Sequence, residues 1–210
     1  MKYKVAIFDF DGTLADTFPF IMSILDYLAD TYHVDRINPD DVPQLRKLPI
    51  PQLMDYLNFP RWKLALVGRN VRKLMLRNIN QISLFDGIDA VLKDLAELGI
   101  TLVLVSSNSY DNVVKVLGEQ NADYFSHFEC GVSLFGKNGR YKKVLRKFGV
   151  DPSEVISIGD EIRDLEASRK VNIPFGAVSW GYTDPEVFET RSPNHIFRST
   201  GEITALLAGS

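Results

Sequence analysis

The chain has a single cysteine, Cys130, which rules out an internal disulfide and any metal site built on several thiolates. Free cysteine is usually a small buried hydrophobe, and Cys130 is read that way rather than as a nucleophile. Positive charge is not in excess either, since 24 Lys and Arg stand against 27 Asp and Glu, a formal net charge of -3. Nucleic-acid binders normally carry a strongly basic domain, so a nucleic-acid partner is not expected. Long apolar runs are also missing. The run at 5–8 is too short for a signal peptide and is stopped by Asp9, and no later stretch approaches the roughly 20 residues of a membrane helix. A cytoplasmic protein with no membrane partner is the expectation. Histidines are few, and His33, His127 and His195 lie apart from every motif below.

What is present is ordinary for a globular chain: 45% hydrophobic and 24% charged residues in a length of 210. That length suits one large domain, or a core with a smaller insertion. Short apolar runs recur at 5–8, 100–105, 155–158 and 175–178, as expected of strands covered on both faces. Residues 88–98 carry Val91, Leu92, Leu95 and Leu98 at helical spacing and stop at Gly99. Asp151-Pro-Ser-Glu154 has the cap, proline and glutamate of a helix start. Alternating strands and helices predict an α/β fold with a mostly parallel sheet.

Residues 15–83 contain no comparable strand run. Ile21, Ile24, Leu25, Leu28 and Tyr32 mark one helical face, Leu64, Val67, Val71 and Leu74 another, and five prolines between 39 and 60 cut the stretch into short pieces. An all-helical insertion at 15–83 is therefore predicted, with the core formed by 1–14 and 84–210.

In open α/β sheets ligands bind outside the carboxyl ends of the strands, which directs attention to Asp9 and Asp11. If the strand runs through Phe10, both side chains share a face. Two carboxylates about 4 Å apart repel by about 4 kcal/mol at an effective dielectric near 20, so a cation or a shared proton must resolve the conflict. An oxygen-ligated Mg2+ fits. Gly12 allows a tight turn with backbone N–H groups near an anion, and Thr13 adds a hydroxyl. A calcium loop would need a preceding helix and a closing glutamate, and no match is found.

Asp9-Phe-Asp-Gly-Thr-Leu14 resembles the first motif of the haloacid dehalogenase-like hydrolase superfamily. The resemblance implies Asp9 as nucleophile and Asp11 as general acid and base. Dehalogenases lack the second aspartate, so Asp11 points to the phosphatases and phosphomutases. The strand at 100–105 runs into Ser106-Ser-Asn108, similar to the family's second motif; Ser106 would bind the phosphoryl group, with Ser107 and Asn108 as further donors. Gly159-Asp-Glu-Ile-Arg-Asp164 resembles the fourth motif. By that resemblance Asp160 ligates the metal with the Asp9 side chain and the Asp11 carbonyl, and Asp164 holds a metal-bound water or the shell beyond. The family's third motif is a lysine, often followed by proline. This chain has no Lys-Pro here, and Lys137, in the loop before a helix, is preferred over Lys142 and Lys143.

The helical insertion resembles the cap of the phosphoglycolate phosphatase and β-phosphoglucomutase subfamily, which implies a Rossmann-like core. Arg46 and Lys47 stand where that subfamily places its specificity loop, and are candidates for a substrate carboxylate or plain surface charges. Residues 61–83 lack acidic groups, and Arg69, Arg72, Lys73 and Arg77 form a basic face that either steers anions or is only solvated. The implied activity is Mg2+-dependent hydrolysis of a small phosphorylated metabolite through an aspartyl-phosphate, by a monomer or homodimer. A phosphomutase and a non-catalytic binding protein on the same scaffold are the alternatives.

Overall fold

In the computed structural model, residues 2–133 and 136–209 are described. The strands β1 (Val5–Phe8), β2 (Thr101–Val105), β3 (Phe125–Glu129), β4 (Val155–Gly159), β5 (Phe175–Val178) and β6 (His195–Phe197) form one parallel sheet in the order β3-β2-β1-β4-β5-β6. The helices in chain order are α1 (Phe18–Tyr32), α2 (Val42–Leu45), α3 (Ile50–Tyr56), α4 (Leu64–Arg77), α5 (Ile88–Glu97), α6 (Tyr110–Asp123), α7 (Lys137–Phe148), α8 (Ile162–Arg169), α9 (Pro185–Arg191) and α10 (Thr200–Gly209).

The alternation along β1 explains the layers. Ala6 and Phe8 join α5, α6 and α10 in one core, through residues such as Leu92, Leu95, Val113 and Ile203, while Val5 and Ile7 join Tyr141 and Val144 of α7 in another. A strand covered on both faces must be apolar throughout, and all four β1 residues are buried. The result is the Rossmann-like three-layer α/β fold expected.

The sequence pattern missed β3 and β6. These are the two edges of the sheet; β3 reads Phe-Ser-His-Phe-Glu with Ser126 exposed, and β6 has three residues, so neither carries the continuous apolar run of a central strand. Asp151-Pro-Ser-Glu154 does form the capping box, but it closes only the 3₁₀ turn Pro152–Glu154, because β4 begins at the next residue.

Between β1 and α5 the described elements are helices and 3₁₀ turns. The chain leaves and re-enters the sheet layer at adjacent points: Asp16 N donates to Ser83 O at 2.9 Å and Phe85 N to Leu14 O at 2.9 Å. No helix among the described residues is long and apolar enough to cross a membrane.

Candidate active site

The sheet order reverses direction at β1, which has β2 on one side and β4 on the other, so a crevice opens at the carboxyl ends of these strands. Asp9 follows β1, Ser106 follows β2, and Asp160 follows β4. Strand β1 ends at Phe8 rather than running through Phe10, although Asp9 N still donates to Ile158 O at 2.9 Å. From there the chain turns at Gly12, whose φ of 74° lies in the left-handed region. A Cβ at Gly12 would fall inside the Asp160 carboxylate. Gly12→Ala is therefore expected to cost about 1–2 kcal/mol for the backbone conformation alone, before any displacement of Asp160. Thermal unfolding measures this, and an unchanged midpoint would contradict it.

Asp160 is fully buried and held from two directions. Thr13 Oγ1 donates to its Oδ1 at 2.9 Å, and the Tyr182 backbone N–H donates to its Oδ2 at 2.8 Å. The loop carrying Tyr182 is pinned to the first turn by Trp180, whose Nε1 donates to Thr13 O at 3.1 Å. Asp164, in the first turn of α8, receives the Glu161 N–H on Oδ2 at 3.4 Å.

Lys137 joins these pieces. It is the first residue of α7 rather than a loop residue, because Gly136 is the cap. Its Nζ lies 2.7 Å from Asp9 Oδ2 and 2.6 Å from Asp164 Oδ1, with all three side chains no more than 3% exposed. Of the three candidate lysines, this is the one among the acidic residues; Lys142 is exposed, and Lys143 pairs with Glu129 at 2.5 Å.

Burial pushes the Asp9 carboxyl above its ordinary value, against the pull of Lys137, and pushes Asp160 up strongly, with Glu161, Asp9 and Asp164 adding like-charge repulsion. Burial alone would lower the Lys137 ammonium, but the Asp164 and Asp9 carboxylates outweigh it and the group stays charged. Asp9, Asp160 and Asp164 each offer an oxygen within 4.8 Å of the others. Lys137 is the one cation paired with these three buried carboxylates among the described residues, and a hard divalent cation with oxygen ligands fits that donor set.

Asp11 is half-buried and raised by burial, partly offset by Asn108, whose Nδ2 donates to Asp11 Oδ1 at 3.0 Å and Oδ2 at 3.2 Å. Asn108 is itself oriented by Asn112 Nδ2, 2.9 Å from its Oδ1. Ser106 Oγ is buried and accepts from Asn108 N at 3.0 Å. The carbonyl of Ser107 faces Arg72 of α4, whose Nη1 lies 3.3 Å away, so the helical stretch reaches the loop after β2.

Arg46 and Lys47 meet the loop after β5. Arg46 donates to Tyr182 O at 2.9 Å and Gly181 O at 2.8 Å, with its guanidinium 5.2 Å from the centre of the Phe18 ring, while Lys47 Nζ lies 2.9 Å from Glu186 Oε2. Sequence reasoning did not find Tyr182, whose contribution is a backbone N–H and leaves no residue-type signal, or the paired Glu161 and Arg163 of the fourth motif. Burial pushes the Cys130 thiol up to about 12, and the residue packs against the core, as a structural cysteine does.

A family model described as haloacid dehalogenase-like hydrolase matches residues 6–178. The chain is 28% identical over 201 residues to a phosphoglycolate phosphatase of Synechococcus elongatus, covering 95% of both chains. It is 22% identical to the pyrophosphatase PpaX of Oceanobacillus iheyensis, covering 100% of this chain and 99% of the relative. A solved haloacid dehalogenase-like family hydrolase from Streptococcus pneumoniae shares the fold with a TM-score of 0.80 at 18% identity, covering 98% of this chain and 99% of that one.

Proposed function

Because this chain belongs to the haloacid dehalogenase-like hydrolases and is a phosphatase, we propose that it hydrolyses a small phosphate monoester through an aspartyl-phosphate formed on Asp9. The observation that carries this reading is the buried Lys137 ammonium shared between Asp9 and Asp164. A carboxylate nucleophile approaching a phosphate dianion needs a fixed cation beside it, since phosphoryl transfer depends on positioning and charge stabilisation.

Asp9 attacks phosphorus in line, forming an acyl phosphate as the bond to the leaving oxygen breaks. Asp11 protonates that oxygen, a role suited to a carboxyl whose pKa burial has raised. Asp11 then takes a proton from the water that attacks phosphorus, releasing inorganic phosphate and restoring Asp9. Lys137 and Ser106 hold the phosphoryl oxygens, with Ser107 and Asn108 beside them; the turn N–H groups expected of Gly12 and Thr13 donate instead within the turn, to Ala15 O at 2.9 Å and Phe10 O at 3.3 Å. Asp9, Asp160 and Asp164, with the Asp11 carbonyl, would hold Mg2+, which when bound neutralises charge on the phosphoryl group. Residues 15–83 serve as a cap over the strand ends, with Arg46 and Lys47 bridging to the loop after β5 and Arg72 to the loop after β2.

Chelation by EDTA should abolish turnover and added Mg2+ should restore it. Acid quenching during turnover of a radiolabelled substrate should leave label on the protein that neutral hydroxylamine releases, as from an acyl phosphate. Label that resists hydroxylamine would place the covalent step on another residue. The curated relatives make phosphoglycolate the first substrate to assay and inorganic pyrophosphate the second. Conversion of β-glucose 1-phosphate to the 6-phosphate would instead favour a phosphomutase.

A further inference from the structure

Arg163 has no role in the mechanism above, yet its placement is unusual. Its side chain is only 12% exposed, and one nitrogen, Nη2, pairs with Glu161 Oε1. The other two, Nε and Nη1, are buried and have no hydrogen-bond partner among the described residues. A guanidinium presents five donors, and buried donors left unmade cost about 1–3 kcal/mol each, more when charged. The pair with Glu161 engages only one of the three nitrogens, so it does not account for the two buried donors left over.

The surroundings indicate what the free donors await. Glu161 caps α8 by accepting the backbone N–H of Asp164, so the residue that anchors Arg163 also sets the turn presenting Asp164 to Lys137. Around this crevice lie Asp9, Asp11, Asp160, Glu161 and Asp164, five carboxylates, against two cations, Lys137 and Arg163. A phosphate dianion entering so acidic a site needs every cation that can reach it. Arginine is the side chain best suited to planar recognition of phosphate oxygens.

On the reading that the site binds a phosphate group beside Asp9, we infer that Arg163 is a phosphate-binding residue, its Glu161-anchored guanidinium donating Nε–H and Nη1–H to the oxygens of the bound phosphate. The positive charge of Arg163 is felt at both Asp9 and Asp11, where it opposes the upward shift caused by burial.

The test is calorimetric titration of inorganic phosphate into the magnesium-loaded protein, with thermal unfolding of the same samples. Arg163→Gln is expected to weaken phosphate binding at least 10-fold in a protein that still unfolds cooperatively, at a lower midpoint because the buried Glu161 loses its partner. Should the Gln variant not fold, Arg163→Lys decides: it keeps the charge but loses the planar fork, and binding several-fold weaker than wild type is expected. Wild-type phosphate affinity in either folded variant would overturn the inference, as would failure of the wild type to bind phosphate. Failure of the aspartyl-phosphate reading would appear elsewhere, as turnover retained after loss of the Asp9 carboxylate with the effect of Arg163 on phosphate binding unaltered.

Discussion

Asp9→Asn is expected to reduce magnesium-dependent hydrolysis of p-nitrophenyl phosphate by about 10⁴-fold or more, the order of loss seen when a covalent nucleophile is removed. Asparagine has nearly the same volume, so the pocket after β1 keeps its packing, but its amide oxygen carries no full negative charge with which to attack phosphorus. The fold should tolerate the change. Lys137 keeps its pair with Asp164 at 2.6 Å, and a crowded acidic cluster loses one charge. The stability effect has a definite sign. Burial raises the Asp9 pKa, so the folded chain holds a proton there at pH values where the unfolded chain has released it. Without divalent cation, wild-type stability should therefore fall as pH rises from the ordinary carboxylate value through the raised one, and the Asn variant should fall less. Denaturant titrations with EDTA at several pH values measure the difference, and a steeper fall in the variant would refute the assignment. Activity retained within tenfold of wild type would remove Asp9 from the chemistry.

Lys137→Met should damage both fold and activity. The methionine fills similar space but leaves Asp9 and Asp164 facing each other, both buried, without the ammonium that now sits 2.7 Å and 2.6 Å from them. Removing one partner of a buried ion pair costs about 3–5 kcal/mol, much more than an exposed pair is worth. A comparable loss of charge stabilisation on the phosphoryl oxygens lowers kcat by about 10²–10³-fold. Divalent cation should recover part of the stability, because it also neutralises the carboxylates. Lys142→Ala and Lys143→Ala are the controls. Both side chains are exposed, and both variants are expected to keep wild-type kcat. If either lost activity as Lys137→Met does, the cationic partner of the phosphoryl group would have to be reassigned.

These two residues differed in how far the sequence exposed them. Asp9 follows an apolar run that can only be a covered strand, and the spacing to Asp11 and Gly12 carries its own chemical sense. Lys137 stands in a segment with Arg140, Lys142 and Lys143 close by, and nothing in residue type separates a buried lysine from its solvated neighbours. Helix α7 makes the distinction: starting at Lys137, it turns Tyr141 and Val144 toward the sheet and leaves Lys142 and Lys143 outside. Arg46 and Lys47 show the same limit. As charges in a helical stretch they could meet a substrate or water, and only the structure shows that they also reach the carbonyls of Gly181 and Tyr182 and the carboxylate of Glu186.

By itself the sequence determined the α/β class, the central strands, the helical character of the stretch between β1 and α5 and the acidic residues at the strand ends, because apolar periodicity and local spacing are properties of neighbours along the chain. Tertiary structure alone decided which lysine faces Asp9, how Thr13 and the Tyr182 N–H hold Asp160, that the edge strands β3 and β6 complete the sheet, and that Arg163 is buried with donors to spare. Those outcomes depend on contacts between residues far apart in sequence, where burial and unscreened charge set the energies and local pattern carries no record of the partner.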